Sequence, residues 1–114
     1  MTESQLIEQL ETAPKSVEFD QVIAVIAENY DYQPTRFSNG DVTNEAGTNE
    51  GSCKLFSFGL INQLSEDEML ACFGKYYRDD VLKHPNGTDH GNIRAFMESG
   101  WDGIKFDQPA LTAQ

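Results

Sequence analysis

The sequence predicts an α+β protein that is mainly α. It expects about five helices packed in one layer-like bundle, with a small antiparallel β element around residues 34–43 and 101–106. Three observations carry this reading. Apolar residues recur at helical spacing behind recognisable start signals. Asn39-Gly40 stands between two short runs that each carry a large apolar residue, the signature of a tight hairpin turn. The hydrophobic content of 39% and the clustering of aromatics from Phe56 onward are those of a globular chain. At 114 residues a single domain, 1–114, is expected, with residues 107–114 as a flexible tail.

The first helix is read over Met1 to Ala13. Thr2 and Gln5 form a capping box, Leu6, Ile7 and Leu10 make its apolar stripe, and Pro14 follows its end. Ser16 is expected to cap the second helix, whose inward face carries Phe19, Val22, Ile23, Ile26 and Tyr30. Glu18 and Asp20 in its first turn suit the positive end of the helix dipole. Between Tyr32 and Gly51 the chain changes character, with Pro34, Asn39-Gly40 and Gly47 as punctuation, and residues 44–51 read as a polar loop. Residues 52–62 can be a buried strand or a buried helix, because a continuous apolar run has no period to separate the two. The Gly51-Ser52 start signal favours helix.

Ser65 to Glu68 is a second capping box. The helix behind it places Met69, Leu70, Phe73, Tyr76 and Tyr77 on one broad face and must end by His84, which precedes Pro85. Asn86-Gly87 is a turn. Thr88 is expected to cap the next helix, with Ile93, Phe96 and Met97 inward and Gly100 as a left-handed C-cap. Trp101 then folds back over the last turn, and residues 101–106 form an edge strand against the Phe37 hairpin.

The chain carries 19 acidic against 8 basic residues, a net charge of −11. Such a surface repels phosphate backbones and anionic membranes, so neither nucleic acid nor membrane is expected as a partner. No apolar run reaches the roughly 20 residues of a bilayer span, and the N-terminus has no signal-peptide pattern. Cys53 and Cys72 sit in apolar segments without CxxC spacing and read as buried free thiols.

The residues able to carry chemistry gather in two neighbouring segments. On the helix read from Thr88, Asp89 falls within the inward arc, His90 at its edge, and Arg94 one turn further on the same side. Asp80 falls between Phe73 and Tyr77 in angle on the preceding helix. Charges facing a core must be paired. A partly buried polar network of Asp80, Asp89, His90 and Arg94, with Tyr76 or Tyr77 beside it, is therefore expected. It reads either as a site, with His90 as an acid, base or ligand, or as a latch in which Arg94 pairs with Asp80 between helices.

Other chemistries are weaker. Cys72 as a nucleophile with His90 competes with a simply packed thiol. His84, Asp89 and His90 are metal-ligand types without a recognised spacing, so no metal and no cofactor is expected. Gly51-Ser52-Cys53-Lys54 breaks the order that a phosphate loop requires.

"YQPTRFSNG" from Tyr32, "GSCKLFSFGLI" from Gly51, "LACFGKYYRDDVL" from Leu70, "HPNGTDHGNIRAFM" from His84 and "GWDGIKF" from Gly100 together resemble the HopJ type III effector family over most of the chain. The resemblance implies a small bacterial protein with an effector label and no established activity, and it carries over no catalytic residues. Two functions are expected in consequence. One is a binding module for a host or bacterial protein or a small ligand, presenting the His84–His90 loop and the Tyr76-Tyr77 pair. The other is a small cytoplasmic enzyme using the His/Asp/Arg cluster. The helical, acidic N-terminus favours residence in the bacterial cytoplasm over secretion into a host cell by a type III system.

Overall fold

The computed structural model describes residues 1–114. Helix α1 (Glu3–Thr12) opens on the expected capping box: the Thr2 hydroxyl accepts from the Gln5 amide at 3.1 Å and Gln5 returns the bond at 2.8 Å. Leu6 and Leu10 bury its inner stripe. Ser16 does not cap the second helix. Pro14–Ser16 forms a turn of 3-10 helix, and the Ser16 hydroxyl donates back to Ala13 O at 2.7 Å. Helix α2 (Phe19–Asn29) starts behind Glu18, whose amide donates to the Gln21 side chain at 3.1 Å.

Strand β1 (Tyr30–Tyr32) leaves α2 directly. Strands β2 (Phe37–Asn39) and β3 (Val42–Asn44) form the hairpin expected around Asn39-Gly40, with Gly40 at a φ of 58°. Helix α3 (Glu50–Asn62) settles the ambiguous segment as helix. Cys53, Leu55, Phe56, Ser57, Phe58 and Gly59 are all buried on it. A helix enclosed on most sides has no polar face, which is why its sequence shows no period.

The next helix is shorter than expected. Helix α4 (Glu66–Ala71) keeps its Ser65–Glu68 capping box, but the chain breaks at Gly74, where φ is 60°. A Cβ on Gly74 would stand 2.8 Å from the backbone nitrogen of Phe19 and 3.2 Å from Glu18 Cα. Close approach to the start of α2 therefore selects glycine, and glycine permits the break. Tyr76–Val81 continues as a π-helical turn.

Helix α5 (Gly91–Ser99) begins three residues after the expected cap Thr88. Its N-cap is His90, in left-handed geometry at φ 51°. Asn92, Ile93 and Phe96 are buried, whereas Met97, expected inward, is 45% exposed. Beginning the helix later rotates nothing, but neighbouring β2 and β3 meet the Asn92 side and leave the Met97 side uncovered. Gly100 closes α5 with a positive φ of 59°, although its ψ of −155° is extended rather than left-handed helical.

Gly100–Gly103 is a 3-10 turn, so the strand expected over 101–106 is confined to β4 (Ile104–Phe106). It pairs antiparallel with β2, giving the order β3-β2-β4 and setting Phe37 opposite Phe106. Trp101 packs edge-on against Phe96 and Phe56 and donates to Leu64 O at 2.8 Å.

The tail expected from Asp107 is instead ordered structure. Strand β5 (Leu111–Ala113) pairs antiparallel with β1, and Ala110 and Leu111 are buried. Pro109 ends one run without preventing a short strand two residues later.

Candidate functional site

Helices α3 and α5 begin side by side. Neither N-cap, Asn49 nor His90, offers its side chain to the first turn of its own helix. Both are left-handed, at φ 48° and 51°. The first-turn amides of Gly51, Ser52, Gly91 and Asn92 have no carbonyl within their own helix to bond.

A buried asparagine network clamps these two starts together. Asn92 Oδ1 accepts from Asn39 Nδ2 at 3.1 Å and from Asn44 Nδ2 at 3.0 Å, and its own amide donates to Asn44 Oδ1 at 2.9 Å. Asn49 adds a bond to Asn44 Oδ1 at 2.7 Å. Sequence reasoning missed all four, because asparagine is an ordinary turn residue and its partners are distant in the chain. The signal available was the density of asparagine at turn and cap positions.

Between the two starts lies a cavity of about 380 Å³. Phe19, Phe73, Tyr76 and Ile93 supply its apolar wall. Asn49, Gly51, Ser52, His90, Gly91 and Asn92 supply the polar one. Phe19 stands edge-on to Tyr76 with ring centroids 5.3 Å apart, and the Tyr76 ring lies 5.3 Å from the His90 ring.

The four charged residues expected to meet do converge here, with different pairing. His90 Nε2 lies 2.9 Å from Asp80 Oδ2 and 3.8 Å from Asp89 Oδ2. Arg94 pairs with Asp89, not with Asp80: Nη2 donates to Oδ1 at 2.7 Å and Nε to the Asp89 carbonyl at 2.7 Å. That hydrogen bond holds the Asp89 carboxyl below its ordinary value. Of the four only His90 lines the cavity, and the cluster sits at the surface rather than beneath it, with side chains 30% exposed at His90 and 47% at Asp80. Asp89 and His90 are positioned by the turn before α5, not by helical phase.

Tyr76 belongs to this site. Tyr77 does not: it lines a separate cavity with Leu10, Pro14 and Arg78. His84 is exposed, and Asp80 rather than His84 stands beside Asp89 and His90. Cys72 is fully buried, and burial, with the nearby Glu68 carboxylate, pushes its thiol up to about 12. Cys53 is buried and its thiol is likewise raised, its Sγ donating to Thr35 O at 3.6 Å. Both cysteines are free.

The family model described as HopJ type III effector protein matches residues 3–111. A solved structure titled as the crystal structure of the unknown-function protein VPA0580 is similar with a TM-score of 0.98 and 50% sequence identity, covering 100% of this chain and 95% of that one. No curated protein matches.

Proposed function

The chain belongs to the HopJ type III effector protein family, and from that premise we propose that it is a binding module for a small ligand with a flat apolar part and a hydrogen-bond-accepting end. The observation that carries the reading is the 380 Å³ cavity, aromatic on one wall and polar on the other, with His90 at its rim. The ring faces of Phe19 and Tyr76 suit the apolar part. The first-turn amides of α3 and α5 suit an acceptor or anionic end, which two helix dipoles also favour.

Benzoate is a minimal probe with both features. Titrating it into the full chain is expected to shift the amide resonances of Gly51, Ser52, Gly91 and Asn92. Gly91→Leu fills the cavity mouth, and a Cβ at Gly91 meets nothing within 4 Å, so the fold accepts it. The shifts should disappear in that variant. Shifts that persist there, or none in the parent chain, sink the proposal.

A second reading, acid–base catalysis, is favoured by the 2.9 Å contact between Asp80 and His90. A carboxylate that accepts from Nε2 leaves Nδ1 as a base on the rim of the same cavity. If so, His90→Asn should retain ligand binding and lose turnover. For location, the bacterial cytoplasm is our reading. The family's name supplies the alternative, delivery into a host cell through a type III system, which a translocation assay would detect. No helix is long and apolar enough to cross a membrane.

A further inference from the structure

We propose that Asp80, Asp89 and His90 form a binding site for a single divalent transition-metal ion of the zinc class. The donor atoms are one imidazole nitrogen and two carboxylate oxygens, all within 4.8 Å of one another. Nε2 lies 2.9 Å from Asp80 Oδ2 and 3.8 Å from Asp89 Oδ2. Ligands bound at about 2.0–2.2 Å to a shared zinc ion stand roughly 3–4 Å apart, so the trio needs only small side-chain rotations to enclose one.

The surroundings orient the donors. Arg94 occupies Asp89 Oδ1 and leaves Oδ2 turned towards the imidazole. The Tyr76 ring and the left-handed turn at His90 fix the position of the imidazole. Fixing ligands in this way is the usual work of the groups around a metal centre. Mixed nitrogen and oxygen donors select a borderline first-row ion over magnesium or calcium, which prefer oxygen alone.

The side chains are half-exposed, so an ion has a path in and the trio leaves at least one coordination position open. In the apo state Nε2 donates to Asp80. On binding, the neutral imidazole carries its proton on Nδ1 instead, which frees the Nε2 lone pair for the ion, and Asp80 changes from hydrogen-bond acceptor to ligand.

This inference rests on the donor trio and holds whether or not the cavity takes an organic ligand. Its test uses zinc ion alone. Calorimetric titration of the full chain should show one ion bound per chain. His90→Asn keeps a residue that tolerates left-handed geometry and should lower the affinity at least about tenfold. His84→Asn, which removes the other imidazole, should leave affinity unchanged. Should His90→Asn fail to fold, the amide resonances of Asp80, Asp89 and His90 in the parent chain provide the readout. They should shift with zinc while that of His84 does not. Absence of binding, equal loss in both variants, or shifts centred on His84 would overturn the site.

Discussion

At the residue scale, the two thiols and the asparagine network make opposite kinds of buried polar group. Cys72 is a packed thiol whose ionisation burial opposes, so it should resist thiol-labelling reagents in the native chain. The same burial links stability to pH. Cys72 keeps its proton to about 12 when folded and gives it up near 9.0 when unfolded. The unfolded chain therefore loses its proton first. Stability is complete below pH 9 and falls by about 1.4 kcal/mol per pH unit above it, until the folded thiol also ionises. Urea unfolding between pH 7 and 11 checks this, and Cys72→Ala should flatten the slope. The raised tyrosines Tyr30, Tyr32 and Tyr77 add the same sign at higher pH. Asn92 acts differently, because its amide answers two other buried amides. Asn92→Ala leaves the Asn44 amide without its acceptor, while Asn39 keeps only its bond to the residue 92 carbonyl, and should cost about 2 kcal/mol, read as a lower urea midpoint.

At the scale of elements, glycines decide where helices stop and how closely they pack. Gly74 interrupts what the spacing of Met69, Phe73 and Tyr77 reads as one continuous helix. Periodicity carried that reading past the break because Tyr76 and Tyr77 still have apolar neighbours afterwards. Gly74→Ala should cost about 2 kcal/mol or more, since it meets a positive φ and the α2 backbone together. A thermal melt measures it. Glycine in the middle of α3 has a different cause: a Cβ on Gly59 would run into the Met69 sulfur and the Trp101 ring. The capping boxes at Thr2 and Ser65 were legible because their partners lie three residues apart. The start of α5 was not, because nothing local distinguishes Thr88 from His90 as the cap. The difference is made by Asn92, which β2 and β3 hold in place.

At the scale of the molecule, the chain ends join through β1 and β5, and the last strand closes the fold beside α2 and α3. Removing residues 108–114 deletes that ladder and exposes the surface Ala110 and Leu111 cover. Loss of one buried leucine and one small apolar side chain predicts at least about 2 kcal/mol of destabilisation. An unpacked tail would leave the denaturation midpoint where it was. The cavity beside His90 is likewise a property of the whole, since α2, α3, α5 and the π-helical turn each supply one wall.

The sequence by itself determined the class of the fold, most helix positions, the Asn39-Gly40 hairpin and the kinship of the chain. Each of these rests on patterns that repeat within a few residues, where spacing maps directly onto geometry. It also brought forward Asp80, Asp89, His90 and Arg94 as a group. Tertiary structure alone decided who pairs with whom: His90 with Asp80, Arg94 with Asp89, Asn92 with Asn39 and Asn44, and β5 with β1. Such pairings depend on where separate segments dock. A shift of one residue in a helix start, or one glycine close to another backbone, changes docking without leaving a mark on local periodicity.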